Sequence, residues 1–205
     1  MASGGRSYQL YAGVVTIFSH LIAITVTVLV LVWLLKFQGG FAFKSGNTQK
    51  IFNLHPFLMV VGLIVIGGEA IMAYKTMPGT RRAHKGVHII LHLLALLAGI
   101  LGTYAVFKFK DETDPFFQFL LGFFTFFFSG AAMPARANIL PWHTFFGMVI
   151  FLLAVCTAET GLLQRFITLG LGLNQEGLIV NFTGLLIFLF AVTVTLSVIL
   201  PRNHY

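Results

Sequence analysis

Acidic side chains are scarce in this sequence: six Asp and Glu residues serve 205 positions, and charged residues of both signs make up only 9%. A soluble domain carries about a quarter charged residues, so this chain is not built to meet water on all sides. The acids form no carboxylate pair suited to hydrolysis, no nucleophile stands with a base, and no glycine-rich phosphate loop opens a helix. Hydrolytic chemistry is therefore not expected. The single cysteine, Cys156, excludes an internal disulfide. Low-complexity linkers and short-period repeats are missing too, and the few prolines sit mainly near the ends of apolar runs, as at Pro78, Pro134, Pro141 and Pro201. The formal charge of +7 is scattered over short loops, so it makes no stripe for nucleic acid.

What the sequence has in quantity is apolar length: 58% of its residues are hydrophobic. Six long runs stand out, near Tyr11–Leu35, Pro56–Tyr74, Val87–Phe107, Phe116–Ala132, Pro141–Leu163 and Gly177–Leu200. A helix needs about 20 apolar residues to cross a bilayer core of about 30 Å. Five runs pass easily, whereas the fourth, "FFQFLLGFFTFFFSGAA", is marginal at 17 residues. The start, "MASGGRSYQL", lacks a cleavage site after a short apolar core and reads as the lead-in to a retained first span. The expected fold is an all-α membrane protein, a six-transmembrane-helix bundle with a shortened fourth span, forming one domain over residues 1–205. The loop "YKTMPGTRRAHKG" holds Lys75, Arg81, Arg82 and Lys85 and no acid, which favours the cytoplasm. With six crossings, both termini then lie inside.

Seven histidines punctuate this apolar chain. His55 opens the second run, His88 the third and His143, in "PWHTFFG", the fifth. Antiparallel neighbours begin on opposite sides, so His55 and His88 belong to opposite leaflets. If the fourth run crosses, His88 and His143 stand at one depth, and two imidazoles from facing helices are what a haem iron needs axially. His92 follows His88 by four residues on the same helix face. It is open to three readings: a hydrogen bond to a haem propionate or substrate, plain packing, or a zinc or copper site with His88. His20 reads as structural, mid-span without a partner at its depth. His84, in the basic loop, and His204, in the tail, read as solvated. The basic loop has a plain use in topology and lipid contact, and a functional one in holding an anionic reductant.

The stretches "NLHPFLMVVGLI", "GEAIMAYK", "VHIILHLLALLAG", "GTYAVFKFK", "PWHTFFG" and "EGLIVNFTGLLIFLF" together resemble the transmembrane cytochromes b-561, most closely the plant-type members. The resemblance covers most of the chain, in the family's order. It implies a multi-pass protein of an endomembrane such as the vacuolar one, or of the plasma membrane, usually a homodimer with two b-type haems. Electrons would pass from cytoplasmic ascorbate to monodehydroascorbate or a ferric chelate on the other side. By motif, His55 resembles the helix-two ligand of an outer haem, and His88 with His143 the pair for an inner haem. Lys75, Arg81, Arg82 and Lys85 fall where ascorbate docks, and Lys110 stands where many plant members carry a histidine near the acceptor.

One departure is large. The family's fourth helix carries an S-L-H-S-W-x-G motif whose histidine partners the position of His55. Here "KDETDPFFQFLLGFFTFFFSG" resembles only the second half of that helix. One haem, on His88 and His143, is therefore the expectation. The alternative is a truncated, non-enzymatic isoform that binds one haem or none and acts by dimerising with a complete subunit. A divalent-metal carrier on His88 and His92 is a weaker third reading, because acidic and thiol ligands are few.

Overall fold

A computed structural model describes residues 12–110 and 133–201. The described residues are all helical apart from short connections. Five helices are long and apolar enough to cross a membrane. We label them α1 (Ala12–Phe37), α2 (Thr48–Thr76), α3 (Arg81–Lys110), α4 (Met133–Thr168) and α5 (Gln175–Ile199). The shortened fourth run, Phe116–Ala132, lies outside the described residues, as does His204.

Local chemistry sets the ends. Asn47 caps α2 by accepting from the Gln49 N–H, and Asn174 caps α5 by accepting from the Gly177 N–H. The apolar run alone places the start of the second span at Pro56, whereas the helix begins eight residues earlier, at Thr48. A break at Asn53 explains how: Pro56 then lies in the first turn of the segment Leu54–Phe57, where a missing N–H costs little. The π-helical stretch Leu58–Val65 follows directly.

Helix α1 packs along α5, where Val26, Val30 and Leu34 join Ile187, Phe190 and Val194 in the core. The pair is antiparallel, since the Ala12 N–H reaches the Pro201 carbonyl at 3.1 Å. Helix α2 lies against α3, and α4 against α5. The outward stripe of α1, with Ile17, Leu21, Ile24 and Val28, is exposed, as a lipid-facing surface requires. At Gly62 any Cβ would collide with Ala98 on α3, so only glycine lets these two backbones approach.

The helix ends define two faces. The loop joining α2 to α3, together with the start of α1 and the end of α5, forms the basic face. The opposite, far face is knitted by Glu176, which accepts from Trp33 Nε1 at 3.0 Å and from Gln38 Nε2 at 2.5 Å. Arg165 donates to Gln38 Oε1 at 2.6 Å, and Asn53 Nδ2 donates to the carbonyls of Gln38 and Gly40. Helices α3 and α4 therefore both begin at the basic face and run the same way. Among the described residues they do not pack along their lengths.

Candidate metal centre

Two turns into α3, His88 turns its Nδ1 toward α2, 2.8 Å from the Ala70 carbonyl oxygen. A carbonyl only accepts, so Nδ1 carries the hydrogen and Nε2 keeps its lone pair. This is the tautomer of a metal-ligating histidine, oriented by its other nitrogen. Across from it, on α4, stands His143, with ring centroids 6.2 Å apart and planes at 65°. Metal–imidazole bonds are about 2.0–2.1 Å long, so the spacing suits one metal ion between the rings and is too wide for a direct hydrogen bond. The unpacked seam between α3 and α4 leaves width for a planar group around such an ion. The residues present thus fit a two-histidine haem.

Two further aromatic side chains frame His88. His92 stands edge-on to it at 4.5 Å, one turn further from the basic face. Tyr74, at the end of α2, presents its edge to His88 at 5.3 Å and to His84 at 6.1 Å. Among the described residues no three His, Cys, Asp or Glu side chains converge as a zinc or copper site would need. Of the basic-loop cations, Arg81, Arg82 and Lys85 are exposed in the first turns of α3. Lys75 is engaged differently: its Nζ donates to the Leu200 carbonyl at 2.6 Å and ties α2 to the end of α5.

His55 repeats half of this arrangement near the far face. Its Nδ1 lies 3.0 Å from the Gly102 carbonyl of α3, which again leaves Nε2 with a lone pair. Its ring neighbour is Phe52, at 6.2 Å. Among the described residues no second imidazole approaches it, and between His92 and His143 the sequence contains none. The described residues do not complete a second two-histidine site. Lys110, the last residue of α3, lies two turns beyond Gly102 toward the far side.

Two histidines depart from their reading in the sequence. His20 does have a partner: its Nδ1 pairs with the Glu69 carboxylate at 2.8–2.9 Å, immediately beside Ala70. His84 is not solvated but buried, 3% exposed, and its Nε2 has no hydrogen-bond partner. The cause is that α3 starts at Arg81, which winds His84 onto the packed side. A signal was there: His84, His88 and His92 recur at intervals of four and share one helix face.

The sequence profile described as eukaryotic cytochrome b561 matches residues 54–117 and 113–169. Curated relatives align over nearly the whole chain. A protein of Oryza sativa subsp. japonica named "Probable ascorbate-specific transmembrane electron transporter 2" is 38% identical over 92% of this chain and 89% of its own length. The "Transmembrane ascorbate ferrireductase 1" of Arabidopsis thaliana is 35% identical over 92% of this chain and 88% of its own length. A transmembrane ascorbate-dependent reductase of Ovis aries is 34% identical over 86% of this chain and 78% of its own length. The alignment with the rice protein is 211 positions long yet uses only 92% of a 205-residue chain, so that relative carries sequence this chain lacks. The two profile matches meet at residues 113–117, which marks where the family pattern is interrupted.

Proposed function

The chain belongs to the eukaryotic cytochrome b561 family, and from that premise we propose that it is an integral membrane oxidoreductase that moves single electrons from ascorbate across the bilayer, with one b-type haem held by His88 and His143. The observation that carries this reading is the facing pair itself: His88, fixed by the Ala70 carbonyl, stands 6.2 Å from His143 across an unpacked seam. A haem with two imidazole ligands has no open coordination position, so it supplies electron transfer rather than oxygen chemistry. The chain's own work is to fix the tautomer of His88, hold the two helices at the right separation and keep water from the seam. The exposed cations Arg81, Arg82 and Lys85 attract the ascorbate anion to this end. Lys75, anchored to Leu200, adds charge without swinging free.

The parallel course of α3 and α4 supports six spans. The connection leaves α3 at the far face and enters α4 at the basic face, so the run 116–132 is assigned the crossing. A helix of 17 residues would reach about 25 Å, a shortfall that a thinned bilayer would absorb. The basic face is assigned to the cytoplasm. The acceptor on the other side is monodehydroascorbate or a ferric chelate, and Lys110 stands at that end. His55 is set for an outer haem but has no partner imidazole among the described residues, so a second haem is not assigned to this chain. The site of action is an endomembrane or the plasma membrane, with a homodimer as the working unit.

Haem per polypeptide on the purified full chain, with a spectrum recorded after ascorbate, tests the reading. One ascorbate-reducible haem is expected, lost in His88→Ala and in His143→Ala and retained in His55→Ala. Two haems would mean that another ligand serves His55. No haem in the unaltered chain would overturn the reading in favour of a truncated isoform that acts through a complete partner subunit, the alternative that the interrupted family match supports.

A further inference from the structure

Among the described residues of the basic face, His84 has no part in the proposed iron and ascorbate sites. Its side chain is 3% exposed, whereas its neighbours Arg81, Arg82 and Lys85 are open. Its Nε2 is buried and unpaired. Buried polar groups nearly always find a partner, and each exception calls for an explanation.

The surroundings narrow the partner's chemistry. His84 lies one turn before His88 on the same face of α3. Tyr74 stands edge-on to both rings, so both imidazoles line one wall. The acid on this wall's side, Glu69, is already engaged by His20. With no described carboxylate or carbonyl paired to it, the nitrogen is placed to donate to an anionic oxygen brought by a ligand.

We propose that Nε2 of His84 donates to a carboxylate of the haem held by His88 and His143, an inference that rests on the haem reading. A b-type haem carries its carboxylates on one edge of the ring. Charged groups are costly in hydrocarbon, so that edge turns toward the nearer aqueous face. From His88 the nearer face is the basic one, since His88 stands in the second turn of a 30-residue helix. His84 is the imidazole on that side. His92 lies a turn the other way, toward the bilayer centre, which makes His84 the better placed of the two for a propionate at the basic face.

The test uses the full chain in nanodiscs, loaded either with protohaem or with the dimethyl ester of the same haem, which has no charged carboxylate. Excess apomyoglobin is added and loss of pigment is timed. The unaltered chain is expected to hold protohaem about ten- to a hundredfold longer than the ester, the range of one charge-assisted hydrogen bond. His84→Ala should release protohaem much faster while releasing the ester at the unaltered rate. His84→Gln, which still offers an N–H, should keep most of the difference. A His84→Ala chain that loses both pigments faster by the same factor has lost packing only, and one that loses neither faster makes no such bond; either result overturns the proposal and leaves the haem reading standing. Failure of the unaltered chain to take up either pigment removes the haem reading and this inference with it.

Discussion

Ala70 brings no functional group of its own, yet its carbonyl decides which nitrogen of His88 can meet a metal. Gly102 does the same for His55. The two imidazoles are thus prepared alike and differ in what stands opposite: His143 for one, no described imidazole for the other. That asymmetry could be read from residue order alone, because the long interval without histidine between His92 and His143 is visible in the sequence. The partner of His20 could not be read that way. Glu69 lies 49 positions away on another helix, and apolar periodicity says which face of a helix is buried without saying which helix covers it. An intramembrane pair of this kind is a measurable coupling. In a double-mutant cycle with His20→Ala and Glu69→Gln, each single change should destabilise the chain, and the double change should cost less than the sum. The expected coupling is about 0.5–2 kcal/mol. Thermal unfolding in detergent reads it, and strict additivity would show that the contact contributes nothing.

At the scale of the helix, apolar length was enough to find five spans, since about 20 hydrophobic residues have few other uses. It was not enough to place their ends. Helix α2 extends back to Thr48 because Asn47 can cap it, and α4 begins at Met133 and runs through Pro141. In a membrane helix neighbouring groups re-satisfy what an interior proline frees, so a proline in such a sequence is a poor boundary marker. Close packing was equally hidden, because glycine looks the same in a loop and at a helix crossing. Gly62 faces Ala98 with no room for a Cβ, and a Cβ at Gly68 would stand 2.5 Å from the Phe190 ring. Gly62→Ala should therefore force α2 from α3 and cost about 1–3 kcal/mol. Because His55 and His88 both bond across this same crossing, the variant should also shift His88 relative to His143. Adding Ala98→Gly should restore most of the lost melting temperature. A Gly62→Ala chain as stable as the parent would mean that the crossing is looser than the contact implies.

The whole molecule turns on one topological fact: α3 and α4 run in the same direction. A chain whose fourth span were lost outright would reverse α4, carry His143 to the far face and leave His88 alone. The facing of His88 and His143, the bond from Arg165 to Gln38 and the bond from Ala12 to Pro201 all belong to the arrangement in which α4 starts at the basic face. Cysteine labelling in sealed vesicles checks this without reference to haem. With Cys156 replaced by serine, single cysteines at Pro78, Gly46 and Gly172 sample three loops. A side chain at Gly46 or Gly172 meets no atom within 4 Å, so neither change should disturb the fold. Under the positive-inside rule Pro78→Cys should react only from the cytoplasmic side, and Gly46→Cys and Gly172→Cys only from the opposite side. The position of Gly172 is the discriminating one. If it reacts from the same side as Pro78, residues 116–132 do not cross, α4 is inverted in the membrane, and His88 and His143 cannot share a metal in one chain. If it reacts with Gly46, the shortened segment crosses despite its length, and α4 keeps the direction that sets His143 opposite His88.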